Sequence, residues 1–148
     1  MAQDGGLGGV VDDKVLNILL VEDDQVDVMT VRRAFEKNRI VNPLFVAGDG
    51  IEALEMLRGG GVPLSRRIIL LDLNMPRMTG IEFLRELRRD SRLMHTPVVV
   101  LTTSNDDRDK IEAYNLNVAG YLLKPVTFID FVELMATLNK YWTLVELP

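Results

Sequence analysis

Short apolar runs alternate along this chain with stretches in which hydrophobic residues recur every three or four positions. The run VLNILLV (Val15 to Val21) reads as a strand buried on both faces, and the following QVDVMTVRRAFEKN sets Val28, Val31 and Phe35 on one helical face. LFVA is a second strand. DGIEALEMLRGGG is a helix with Asp49 as its N-cap and glycines ending it after Arg58. RIILLD, PVVVLTTS and GYLLKP supply three more strands. Between and after them lie three helices: TGIEFLRELRRD, with Ile81, Leu84 and Leu87 inward; NDDRDKIEAYNLN, begun by Asn105 or an adjacent Asp; and VTFIDFVELMATLNKYW. Five strand–helix units in succession imply an α/β fold. The expected form is a doubly wound, five-stranded parallel sheet in the order 2-1-3-4-5, with right-handed crossovers and helices on both faces.

Nothing divides the chain from Val15 to Trp142, so residues 15–142 are expected to form one domain. The glycine-rich start, residues 1–14, reads as a frayed leader, and residues 143–148 as an apolar extension.

Composition mainly removes alternatives. A net charge of −5 argues against nucleic acid as the main partner, because phosphate backbones attract basic surfaces. With no cysteine there can be no disulfide, thiolate zinc site or Cys nucleophile, which fits a reducing, cytoplasmic setting. No apolar run approaches the roughly 18 residues a membrane helix needs. The start of the chain lacks the basic and apolar regions of a secretory signal.

Chemistry enters where the strands end. In open α/β sheets ligands bind outside the carboxyl ends of the strands. The first strand ends in Glu22, Asp23 and Asp24, the third in Asp72, the fourth in Thr102, Thr103 and Ser104, and the fifth brings Lys124. In the expected order the first, third and fourth strands are neighbours, so these groups converge. Crowded carboxylates repel, and one protonates unless a cation intervenes. Oxygen donors with room for water suit Mg²⁺. Lys124 adds a second positive charge for an incoming anion, and the Thr102 hydroxyl adds a donor. A metal, a lysine, a hydroxyl and a carboxylate on a loop suit phosphoryl transfer, with Asp72 as the nucleophile that becomes an aspartyl-phosphate. Taken singly, each signal has a plainer reading: VEDD as a cap cluster, Lys124 as a surface lysine, TTS as a helix cap.

Taken in order over about Leu16 to Leu138, the motifs ILLVEDD, LLDLNMPRMTG, VVVLTTS and GYLLKP resemble the receiver domain of two-component response regulators, which has a flavodoxin-like fold. The resemblance implies that Glu22 and Asp23 hold Mg²⁺, with Asp23 favoured as the direct ligand, and that Asn74 gives its backbone carbonyl to the metal. It implies that Asp72 accepts phosphate from the phosphohistidine of a sensor histidine kinase. Thr102 and Lys124 would each contact a phosphoryl oxygen, and Tyr121 would swing inward as Thr102 moves. It further implies a cis peptide before Pro125, aiming Lys124 inward. Such a protein is a self-modifying switch rather than a turnover enzyme.

With so little chain beyond the receiver, its output is expected to be protein contact or phosphate relay. Tyr141, Trp142, Leu144, Val145 and Leu147 are too apolar for a free tail. They either fold back on their own domain or, as the sharper expectation, build a homodimer with the last helix. The YW…LP ending and the RGGGVPLSRR segment resemble stand-alone receivers that serve bacterial phytochrome kinases. That would make the upstream kinase a light sensor and a histidine phosphotransfer protein the next step.

Two other readings compete: a dimeric scaffold independent of phosphorylation, and an Asp-nucleophile Mg²⁺ phosphatase of the haloacid-dehalogenase kind. The phosphatase would need a second Asp where this chain has Asn74. His95, the sole histidine, reads as a surface residue, and RGGGV lacks the ending of a phosphate-binding loop. Arg85, Arg88, Arg89 and Arg92 read as the solvated face and end of one helix, with kinase docking as their functional alternative.

Overall fold

The computed structural model describes residues 15–148; the leader of residues 1–14 lies outside the described part. Five strands, β1 (Asn17–Val21), β2 (Leu44–Ala47), β3 (Arg67–Leu71), β4 (Val98–Thr102) and β5 (Gly120–Leu123), alternate with five helices. The helices are α1 (Gln25–Lys37), α2 (Gly50–Arg58), α3 (Gly80–Arg89), α4 (Asp107–Asn115) and α5 (Phe128–Leu144). All the pairings are parallel, and the strand order is β2-β1-β3-β4-β5, as the alternating pattern implies.

The apolar runs are continuous because both sides of the central strands are covered. Successive side chains point to opposite faces. Leu19, Val21, Ile69, Leu71, Val98 and Val100 therefore pack into one layer with Ala53, Leu57, Phe83, Leu84 and Leu87 from α2 and α3. Ile18, Leu20, Ile68, Leu70, Val99 and Leu101 form the other layer with α1 and α5, meeting Val31, Phe35, Phe131 and Met135. Capping side chains set the helix starts: Asp24 for α1, Asp49 for α2, Thr79 with Glu82 in a reciprocal box for α3, Asp106 for α4 and Thr127 for α5. Among the described residues, no helix is long and apolar enough to cross a membrane.

Two expectations about the end of the chain need correction. The boundary placed after Trp142 falls inside α5, which continues to Leu144. Trp142 is not a contact residue of a tail: it is buried, edge-on to Phe35 with ring centroids 6.2 Å apart, and its Nε1 donates to Asn139 at 2.8 Å. It repeats the stripe of Phe131, Met135 and Leu138, and Leu147 also packs partly against that core. Tyr141 and Leu144 stay exposed, and Val145 is half-buried.

Arg88, likewise, does not belong to a solvated face. It is half-buried and donates to the carbonyls of Leu116, Met94, Thr96 and Asn117, at 2.7 to 3.2 Å. Its guanidinium thus satisfies backbone acceptors on both sides of β4 where α3 and α4 end.

Candidate functional site

The sheet ladder continues one residue beyond β1 and β3, and this fixes the backbone of the first two acids. The Glu22 N–H donates to the Ala47 carbonyl at 3.0 Å and the Asp72 N–H to the Val21 carbonyl at 3.1 Å. On the other side of the crevice the Lys124 N–H donates to the Thr102 carbonyl at 2.9 Å. Each group is anchored on a rigid strand end and projects into the same crevice.

One carboxylate oxygen each from Glu22, Asp23 and Asp72 lie within 4.8 Å of one another. Glu22 and Asp72 are buried, whereas Asp23 faces solvent. Burial lifts the Glu22 carboxyl to about 7, against the opposing pull of Lys124. Burial also raises Asp72, although the Lys124 charge, the Thr102 hydroxyl and the Asn74 backbone N–H each favour its ionised form. Two acids that hold their protons too tightly, beside a third that is exposed, are short of positive charge. An all-oxygen set open to water on the Asp23 side fits Mg²⁺, whose octahedral shell keeps several waters. Asp24, the remaining acid of the cluster, is used as the α1 cap, accepting from the Val26 N–H at 2.8 Å.

The Lys124 ammonium sits inward, 2.7 Å from Glu22 Oε1, 2.9 Å from Asp27 Oδ2 and 3.9 Å from Asp72 Oδ1. Burial works against its charge, and the bonds to Glu22 and Asp27 outweigh that and raise its pKa. The peptide before Pro125 is trans, contrary to the expected cis bond; Lys124 points inward because two carboxylates draw it there. The sequence does little to mark Asp27. Its only signal is its place in the first turn of α1, four residues after Asp23.

Thr102 is fully buried, and its Oγ1 accepts from the Ser104 N–H at 3.3 Å. The half-buried Tyr121 donates its hydroxyl to the Ser104 carbonyl at 2.8 Å, and Ser104 Oγ donates to Asp109 Oδ2 at 2.6 Å. Both expected switch residues are therefore tied to the same residue of the β4–α4 loop. Asn74 is exposed, and its backbone N–H faces the Asp72 carboxylate.

The loop after Asp72 is braced from α2. Asp49 accepts from the Glu52 N–H at 2.9 Å and from Arg77 Nε at 2.9 Å, and Arg77 Nη2 bonds to it as well. The Glu52 N–H first, then Arg77, hold the Asp49 carboxyl below its ordinary value. A depressed acid stabilises the fold at every pH above its unfolded value of about 3.9, and that stabilisation is lost as pH falls through the folded value. Asp49→Asn keeps the cap but not the charge. Between pH 6 and pH 3, the wild-type melting temperature should therefore fall more than that of the variant, as thermal scans at each pH will show.

Buried carboxylates, an inward lysine and a buried threonine thus meet in one polar crevice at neighbouring strand ends of this sheet, the place where doubly wound α/β proteins bind their ligands. Comparison with known proteins narrows that to a family. Residues 18–137 match the model of the response regulator receiver domain. The chain belongs to that family. It is 42% identical over 128 residues to the probable methanogenesis regulatory protein FilR2 of Methanothrix harundinacea, covering 84% of this chain and 82% of that one. Among solved structures, it matches the phosphorylated cyanobacterial phytochrome response regulator RcpA with a TM-score of 0.82 at 30% identity, covering 90% of this chain and 99% of the other. The Mn²⁺-bound form of response regulator Rcp1 matches with a TM-score of 0.78 at 36% identity, again covering 90% and 99%.

Proposed function

We propose that this receiver accepts a phosphoryl group on Asp72 from the phosphohistidine of a sensor histidine kinase. The carrying observation is the convergence of Glu22, Asp23 and Asp72, with Lys124 Nζ 3.9 Å from Asp72 Oδ1. Glu22, Asp23, Asp72 and the Asn74 carbonyl would hold Mg²⁺, which supplies charge neutralisation for the acceptor and the incoming oxygens. A Mn²⁺-bound relative supports a divalent ion in such a pocket.

The transfer is self-directed. An Asp72 oxygen attacks phosphorus, the bond from phosphorus to the kinase imidazole breaks, and the imidazole leaves with the electron pair. Lys124 and Thr102 bind the transferred oxygens as charge collects on them. When the Thr102 hydroxyl turns to the phosphoryl group it gives up the Ser104 N–H. Tyr121, bonded to the same residue, then repacks, so the modification becomes a change of surface.

Output runs through protein contact or onward transfer to a histidine phosphotransfer protein. The contact includes a homodimer through α5 and the segment after it, where Tyr141 and Leu144 are exposed and Val145 and Leu147 half-buried. For the input we assign a phytochrome-type kinase, on the strength of the similarity to RcpA, a cyanobacterial phytochrome response regulator.

The test is intact-mass measurement after incubation with acetyl phosphate, with and without Mg²⁺. A single added phosphoryl group that requires Mg²⁺ is expected, with a change in elution volume on sizing. No adduct, together with no binding of beryllofluoride, would overturn the assignment and leave a phosphorylation-independent scaffold.

A further inference from the structure

Lys124 has three N–H donors and, in this structure, two close carboxylate partners. Glu22 also belongs to the acidic cluster, so a metal there competes with the lysine for it. Asp27 does not belong to that cluster, and its Oδ2 lies 2.9 Å from Lys124 Nζ. Among the described residues it is the lysine's one carboxylate partner that neither the metal set nor the acceptor position claims.

The gap on the acceptor side is equally informative. Nζ stands 3.9 Å from Asp72 Oδ1, beyond hydrogen-bond range. An oxygen on a phosphorus bonded to Asp72 would sit between the two atoms, within reach of the ammonium with little movement. A lysine free to relax would close on the Asp72 carboxylate and occupy that position itself. Something must hold it back, and Asp27 is placed to do so. It extends from the first turn of α1, a rigid element capped by Asp24, and its side chain is 39% exposed against 12% for Lys124.

We infer that Asp27 is a positioning residue for phosphoryl transfer: it tethers Lys124 at the standoff that leaves room for a phosphoryl oxygen on Asp72. This rests on the reading of Asp72 as acceptor. Asp27 touches neither the acceptor nor the entering group and acts only through Lys124. A lysine, unlike an arginine, needs such a partner, because its long stem and point charge do not fix their own direction.

The test compares the wild-type protein with Asp27→Asn, measuring the rate of labelling by acetyl phosphate, the affinity for Mg²⁺ alone and the melting temperature. The tether predicts labelling slowed by about tenfold, the scale of one charge-assisted hydrogen bond, with Mg²⁺ affinity kept within about threefold of wild type. Asp27→Glu, which keeps the carboxylate, should recover part of the rate. A labelling rate within about twofold of wild type would overturn the inference, and so would rate and Mg²⁺ affinity falling together, the sign of a general distortion of the pocket. If the wild-type protein itself takes no label, the acceptor assignment fails rather than the tether alone.

Discussion

Asp72→Asn is expected to take up no phosphoryl group under conditions that label the wild-type protein fully. The amide has the shape of the carboxylate but no charged oxygen to attack phosphorus, and one fewer negative charge to attract the metal. The same substitution should leave the fold intact and the melting temperature equal or higher in metal-free buffer. The sign follows from the environment. Burial raises the Asp72 carboxyl, so the folded state disfavours its ionised form and favours a neutral group there. Its charged form therefore costs stability at neutral pH, and the neutral amide removes that cost. Intact mass and a thermal scan on the same two samples separate the outcomes. A labelled variant would move the acceptor elsewhere, with Asp23, the exposed acid of the cluster, first in line. An unlabelled variant that melts well below the wild type would show that Asp72 also holds the strand end together.

Much of this arrangement is legible in the sequence, for physical reasons. β1, β3 and β4 are buried on both faces, so they appear as uninterrupted apolar runs, and a charged residue directly after such a run is conspicuous. Parallel topology then brings those ends together, which makes Glu22, Asp23, Asp72 and Thr102 one group before any coordinate is known. What escapes is whatever depends on distant partners or on the far end of a period. Asp27 looks like any acid in a helix's first turn; its significance lies with a lysine 97 residues away. Arg88 follows Leu84 by four positions and so lies on the edge of the buried stripe, but residue type alone assigns it to solvent. Its partners are carbonyls, which leave no mark in the sequence. Trp142 is the instructive miss. Phe131, Met135, Leu138 and Trp142 follow helical spacing without a break, so the period itself carries the tryptophan into the core. Tyr141 and Leu144, beside it on the same turns, fall outside that stripe and stay exposed.

The largest effect on stability is expected from a substitution that looks harmless on the usual scales. Gly80 is the first residue of α3, a position where alanine normally improves a helix by up to about 1 kcal/mol. Here a Cβ would lie 2.6 Å from the Asp72 carbonyl oxygen, 2.6 Å from Leu73 Cα and 2.7 Å from Leu73 Cδ2. Two of those three atoms are backbone and cannot rotate away. The Gly80 N–H also donates to the Leu73 carbonyl at 3.0 Å, which holds the helix start against the strand end. Gly80→Ala must therefore push α3 off β3 or displace the peptide that follows Asp72. Overpacking of this kind costs about 3 kcal/mol or more, well above the helix gain. In a domain of this size that lowers the melting temperature by roughly 10 °C. The displaced peptide carries Asp72, so labelling should fall even at temperatures where the variant is folded. Gly120→Ala is the comparison: a Cβ there meets only Val99 Cγ1, at 4.0 Å, and should change neither quantity appreciably. If Gly80→Ala melted and labelled like Gly120→Ala, the β3–α3 connection would be yielding rather than rigid. Asp72 would then owe its position to the sheet ladder alone and not to the helix packed behind it.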